Sequence, residues 1–151
     1  MFHRIVVPTD FSDCAREAWE MAKRVSAAAG GELIACHVFP EPLRYGQGIY
    51  AGDPASTVQQ SARGWVKAAL DDQVGEARDK GLQARACLRH GVAYQEIVAL
   101  ALDERADLIV IGTHGRGGMN RVLLGSVADR VVRLAPCPVL TVREPERVLT
   151  V

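Results

Sequence analysis

Apolar residues recur along the chain in two rhythms, short β-branched runs and longer stretches at helical spacing. Ile5, Val6 and Val7 form an uninterrupted apolar run ending at Pro8, the pattern of a central parallel strand covered on both faces. Ser12 or Asp13 caps a following helix with apolar positions at Ala15, Ala18, Trp19, Ala22, Val25 and Ala29, and Gly30-Gly31 ends it. Residues 33–39 (LIACHVF) supply a second strand. Residues 40–54, rich in proline and glycine, predict a long surface loop that could close over a ligand as a lid. From Ala55 the spacing of Val58, Ala62, Trp65, Val66, Ala69, Val74 and Ala77 predicts a long amphipathic helix reaching toward Gly81. Leu82, Ala84, Ala86 and Leu88 then alternate with Gln83, Arg85, Cys87 and Arg89, as in an edge strand with a polar face. A third helix follows from Tyr94 through Ile97, Val98, Ala101 and Leu102, and residues 108–111 (LIVI) are a second wholly apolar strand. Val127, Val131 and Leu134 mark a fourth helix ended by Pro136, residues 138–142 a last strand, and residues 143–151 a short tail.

The order β-α-β-α-β-α-β-α-β predicts a single α/β domain, residues 1–151, with a parallel sheet, helices on both faces and right-handed crossovers. The first and fourth strands are the most apolar and the third the most polar. A flavodoxin-like order, with the third strand outermost and the first beside the fourth, satisfies this polarity. The winding then reverses between strands one and four, so Pro8-Thr9-Asp10 and the segment from Gly112 both border the crevice where open α/β sheets bind ligands.

That second segment, GTHGRGGMNRVLLGS over residues 112–126, contains five glycines in fifteen residues and runs from a strand into a helix. Glycines let backbone approach a ligand closely, and a helix start aims free N–H groups and a positive dipole end at an anion, so a phosphate or nucleotide site is expected. A Walker loop is excluded because no lysine precedes Ser126. A Rossmann fingerprint started at Gly115 places Asn120 where its last glycine belongs. What remains is Gly112-x-x-Gly115, nine residues, then Gly125-Ser126. Gly112 and Gly115 would turn the chain over the ligand, and Ser126 would cap the helix while binding phosphate. Asp10 suits either a turn or a hydrogen bond to ribose or adenine. His114 is read as presenting backbone to phosphate, and Arg116 and Arg121 are divided between solvation and a phosphate contact. No residue is assigned a catalytic role, because no base beside Ser126 or carboxylate beside His114 is apparent.

Composition changes this picture little. Eighteen basic residues balance eighteen acidic ones, which sets aside a broad field for nucleic acid or anionic membrane. Neither a signal peptide nor a membrane-length apolar run is visible, and a soluble, cytoplasmic protein is expected. Cys14, Cys36, Cys87 and Cys137 lack any C-x-x-C pair and read as reduced, mostly packed thiols. Of these Cys14, near a helix start, is the one placed to favour its thiolate. Cys36, His37, Trp19 and Trp65 are read as packing residues. Four dispersed histidines give no metal site by protein ligands.

The stretches HRIVVPTDFS, GTHGRGGMNRVLLGSVADRVV and APCPVLTV, with the spacing G-x-x-G, nine residues, G-[ST], resemble the universal stress proteins of the ATP-binding kind over nearly the whole chain. The resemblance implies a three-layer, five-stranded parallel α/β sandwich of the flavodoxin-like, adenine nucleotide alpha hydrolase-like class, with strand order 3-2-1-4-5. It implies that Gly112, Thr113, His114, Gly115, Gly125, Ser126 and Val127 line triphosphate and ribose, with Pro8, Thr9, Asp10 and Val38 at the adenosine end. ATP is the expected ligand, with Mg²⁺ held mainly by its phosphates. A homodimer through Val139, Leu140, Thr141 and Val142 is also implied, and the residues favour it independently: an apolar edge strand without Lys or Pro invites pairing. The expected function is a nucleotide-dependent regulatory or stress-response homodimer with little or slow hydrolysis. A nucleotide-hydrolysing or nucleotidyl-transferring enzyme using Asp10 or His114, and a non-nucleotide dimeric scaffold, are the alternatives. Flavin binding is disfavoured by a first loop lacking a hydroxyl-rich phosphate cradle.

Overall fold

The two continuously apolar runs lie side by side in the middle of a parallel sheet. In the computed structural model, which describes residues 1–41, 54–115 and 123–145, the elements are β1 (Arg4–Pro8), α1 (Asp13–Ala29), β2 (Glu32–Phe39), α2 (Pro54–Asp79), β3 (Ala84–His90), α3 (Ala93–Asp103), β4 (Leu108–Gly112), α4 (Ser126–Leu134) and β5 (Val139–Val142). The expected lid, the expected roles of Arg116 and Arg121, and the tail beyond Pro145 lie outside the described residues. The strands form one sheet in the order β3-β2-β1-β4-β5, all parallel, as the polarity of the strands predicts.

The sheet is packed on both faces, giving three layers. Ile5, Val7, Leu33 and Val110 meet Ala18, Trp19 and Ala22 of α1 and Leu70, Val74 and Ala77 of α2. Val6, Ile34, Cys36 and Ile109 meet Ile97 and Leu100 of α3 and Val131 of α4. Each fully buried Leu, Ile or Val contributes about 1.5–3 kcal/mol. The start of α1 follows its expected chemistry: Ser12 is the N-cap, accepting from the Ala15 amide at 3.2 Å. Its end is Gly30, left-handed at φ 75°, whose amide donates to Ser26.

One expectation is corrected, and one is refined. The apolar stripe of α2 is buried only from Val66 onward, while Val58, Ala62 and Trp65 are exposed. At 26 residues α2 is about 39 Å long and β3, at seven, only about 23 Å, so the first half of the helix overhangs the sheet. In β3 the polar face is the more covered one. Arg85 reaches Glu104 at 2.5 Å and Glu32 at 3.1 Å, and Arg89 reaches Asp103 at 2.9 Å, whereas Ala86 and Leu88 are exposed. The guanidinium stems shield the α3 side of the edge strand while their charged ends stay at its rim.

The bases of the two central strands are tied by one carboxylate. Asp107 Oδ2 accepts from the amides of His3 at 2.7 Å and Arg4 at 2.9 Å, and the Asp107 amide donates back to the Arg4 carbonyl. The Arg4 and His3 amides hold the carboxyl below its ordinary value. A depressed folded-state pKa means stability that is present above the unfolded pKa, about 3.9, and lost as pH falls through the lower folded value. Thermal unfolding followed by circular dichroism should therefore show a midpoint that drops below about pH 4, and Asp107→Asn should flatten part of that drop while lowering the midpoint at neutral pH.

Candidate functional site

The loop after β1 is bent by its own side chains. The Thr9 amide continues the ladder to the Cys36 carbonyl at 2.8 Å, Thr9 Oγ1 accepts from the Phe11 amide at 3.0 Å, and Asp10 Oδ1 accepts from the Ser12 amide at 3.0 Å. This turn places Phe11 in the left-handed region at φ 62°, a cost of roughly 1–2 kcal/mol. Its ring packs against His37 (centroids 5.4 Å apart) and edge-on to Trp65 (5.3 Å), which offsets that cost. His37 Nδ1 lies 2.8 Å from the Thr9 carbonyl, which can only accept, so Nδ1 carries the proton.

The loop after β4 is held from the other side. The Thr113 amide donates to the Val142 carbonyl at 2.9 Å, and Thr113 Oγ1 shares a 3.0 Å hydrogen bond with His114 Nδ1. Cys14 Sγ donates to the same Val142 carbonyl at 3.2 Å and lies 3.6 Å from Thr113 Oγ1. Cys14 is thus a buried, packed thiol joining α1, β4 and β5.

The glycines answer first to the protein itself. A Cβ at Gly112 would lie 2.9 Å from the Cys14 carbonyl carbon, and one at Gly125 2.9 Å from the Thr113 carbonyl oxygen. A Cβ at Gly115 would lie 2.7 Å from Asp10 Oδ2. Their expected role, close approach to a ligand, is therefore joined by close approach of one wall of the site to the other. The start of α4 also differs from expectation. Gly125 is the N-cap and makes no side-chain cap bond, and Ser126 is the first helical residue, so its hydroxyl does not cap the helix. The first turn-closing bond runs from the Asp129 amide to the Gly125 carbonyl, and the amides of residues 126–128 precede it.

These segments enclose a cavity of about 440 Å³ above the C-terminal ends of β1, β2 and β4, within the size range of small-molecule sites. Pro8, Thr9 and Asp10 line it from the β1 loop, Val38 from β2, Gly112, Thr113, His114 and Gly115 from β4 and its loop, and Gly125, Ser126 and Val127 from α4. Every site residue expected from the sequence is there except Arg116, which lies outside the described residues. The sequence reading missed Cys36, His37, Ala93 and Ile97, which also line it. Cys36 was legible as the i−2 neighbour of Val38 on one strand face. Ala93 opens α3, whose N-cap Val92 makes no side-chain cap bond, so a second helix N-terminus meets the cavity. The site therefore joins an apolar wall (Pro8, Val38, Ile97) to a wall of backbone amides and hydroxyls. A planar apolar group linked to an anion matches that division.

The model of the universal stress protein family matches residues 1–143. Universal stress protein MJ0531 of Methanocaldococcus jannaschii is 34% identical over 148 residues, covering 97% of this chain and 85% of that protein. The solved structure of MJ0577, from the same organism, superposes with a TM-score of 0.84 at 29% identity, covering 97% of this chain and 99% of the other. A universal stress protein solved in complex with cAMP gives a TM-score of 0.70 at 25% identity, covering 93% and 96%.

Because the Gly112 contact is with backbone, it cannot be relieved by a side-chain shift. Gly112→Ala should lower stability by about 1–3 kcal/mol in urea unfolding without any ligand present. A fully stable variant would show that the glycine serves the ligand alone.

Proposed function

Since the chain belongs to the universal stress protein family, we propose that its cavity binds ATP and that the protein acts as a nucleotide-dependent regulatory module. The observation that carries this is the start of α4. A helix whose N-cap is glycine presents its first amides, its dipole and the Ser126 hydroxyl to the cavity. Amides and a dipole end at a helix start favour an anion there. The apolar wall of Pro8, Val38 and Ile97 suits the adenine, and Asp10 suits the ribose hydroxyls or the base. The relative bound to cAMP supports an adenine nucleotide as the ligand class. Mg²⁺ would be held mainly by the phosphates, neutralising part of their charge.

The same site is poorly arranged for breaking the nucleotide. His114 Nδ1 is engaged with Thr113 Oγ1, and Asp10 Oδ1 is engaged with the Ser12 amide. The chain also lacks the Walker lysine that cradles a transferring phosphate in P-loop enzymes, so binding is the reading put first. Slow hydrolysis or autophosphorylation is the most the arrangement supports.

Isothermal titration with ATP, ADP and cyclic AMP in the presence of Mg²⁺ is the direct test. Binding of ATP is expected, weakened about tenfold by Ser126→Ala, the loss of one hydrogen bond to a charged group, about 1.5 kcal/mol. Because Ser126 Oγ is not a cap, this variant should keep the parent melting temperature. Absence of heat with all three nucleotides would sink the proposal, and it would favour the scaffold reading.

We further propose a homodimer built on β5. Among the described residues β5 pairs only with β4, leaving its other edge for a second copy, and Leu140 is exposed on it. Pairing of two such edges about a two-fold axis is isologous and closes the sheet edge. Light scattering should return twice the chain mass, and Thr141→Pro, which removes a donor from the strand, should shift it toward the monomer.

A further inference from the structure

Two thiols that the nucleotide reading does not use face each other across the sheet. Cys36 of β2 and Cys87 of β3 are register partners in parallel strands, so both side chains leave the sheet on the face covered by α3. Adjacent strands lie about 4.8 Å apart, inside the Cα separation of about 4.4–6.8 Å that a disulfide spans. The two side chains already interact directly. Cys36 is wholly buried and also lines the cavity, while Cys87 is half-buried near the sheet margin.

The surroundings make the two thiols unequal. Arg85 and Arg89 stand two residues either side of Cys87, on its own strand face. Arg89 also hydrogen-bonds Cys87 and is held by Asp103 at 2.9 Å, with Glu96 at 3.8 Å. The first proton leaves from Cys87, drawn down to about 6 chiefly by its hydrogen bond with Cys36, against burial, with help from Arg89 and then Arg85. The hydrogen bond with Cys87, burial and the Glu96 carboxylate push the Cys36 thiol far up. A thiolate beside a protonated thiol is the arrangement of an attacking and a resolving cysteine. The other two cysteines lack it: Cys14 donates to the Val142 carbonyl, and burial raises the Cys137 thiol.

We propose that Cys36 and Cys87 form a peroxide-responsive pair that closes to a reversible intrachain disulfide. The Cys87 thiolate attacks one oxygen of hydrogen peroxide. The O–O bond breaks, and the leaving hydroxide takes up a proton to become water. Cys87 is then a sulfenic acid. The sulfur of Cys36, giving up its proton, attacks the Cys87 sulfur, the S–O bond breaks, and a second water leaves. Two thiols lose two electrons, and one peroxide is reduced to two waters. An external dithiol restores both thiols by exchange. The inference stands apart from the nucleotide reading, since the pair is fixed by strand register and not by what fills the cavity.

The reduced full chain, treated with hydrogen peroxide and then alkylated under denaturing conditions, would be mapped by peptide mass spectrometry. The expected result is loss of two of the four thiols, recovered as a linked peptide pair containing Cys36 and Cys87. Dithiothreitol should return all four, with Cys14 and Cys137 alkylated throughout. In Cys36→Ala, dimedone should capture Cys87 as a sulfenic acid that the parent does not accumulate. The parent mapping decides the matter even if that variant folds poorly. Four free thiols after peroxide, oxidation of Cys87 to sulfinic acid with Cys36 still free, or a disulfide joining Cys87 to another chain would each overturn the proposal.

Discussion

The β1 loop and the segment from β4 to α4, which line most of the cavity, depend on how closely α1 lies over the end of β4. The Cys14 backbone occupies the space that a Cβ at residue 112 would need, and the Cys14 thiol then reaches the Val142 carbonyl and Thr113 Oγ1. Seated there, α1 hangs the β1 loop above the strand ends, and Asp10 comes within contact of the position a side chain at 115 would take. The Thr113 carbonyl, fixed by the same junction, receives the Gly125 amide at 2.7 Å and so sets the start of α4. Protein interiors do not yield to an added methyl by compressing. A missing side chain at one strand end therefore propagates to both of these segments.

The architecture was legible because each central strand announces itself. A run such as IVV or LIVI has no face that tolerates water, which puts β1 and β4 inside a sheet covered on both sides, and the reversal of winding between them follows. Local pattern was less informative where burial depends on lengths in space. The stripe on α2 continues correctly through Val58 and Trp65, yet the sheet beneath ends first. On β3 the alternation shows a polar face at a sheet edge, and ion pairs to Glu32, Glu104 and Asp103 let that arginine face be the covered one. Alternation marks two different faces; it does not say which faces solvent.

The site residues were legible for a related reason. A strand ending in glycine and a helix opening on Gly-Ser are local signals, and the sheet order brings them to one place. The reasons behind the glycines were not, because they lie in contacts with Cys14, Asp10 and Thr113, distant or unaligned in sequence. Nor could spacing tell that Gly125 and not Ser126 ends up as the N-cap, a matter of one residue at a helix start. The Cys36 and Cys87 pair was invisible for the same cause: only the parallel register of β2 and β3 makes neighbours of residues scattered along the chain.

The reversal of winding also explains how a chain with no net charge and no Walker lysine could hold a polyanion. With α1 and α2 on one face and α3 and α4 on the other, α3 and α4 both begin at strand ends bordering the same crevice. Neither start carries a side-chain cap, while each has a carboxylate in its first turn, Glu96 in α3 and Asp129 in α4. Each such end acts as roughly half a positive charge, which its first-turn carboxylate partly offsets. Unlike a lysine, that charge is fixed in direction by the backbone and costs no side-chain entropy to aim. It is also too diffuse to follow a migrating phosphoryl group. A site so built would suit the proposed holding of a nucleotide better than its transfer.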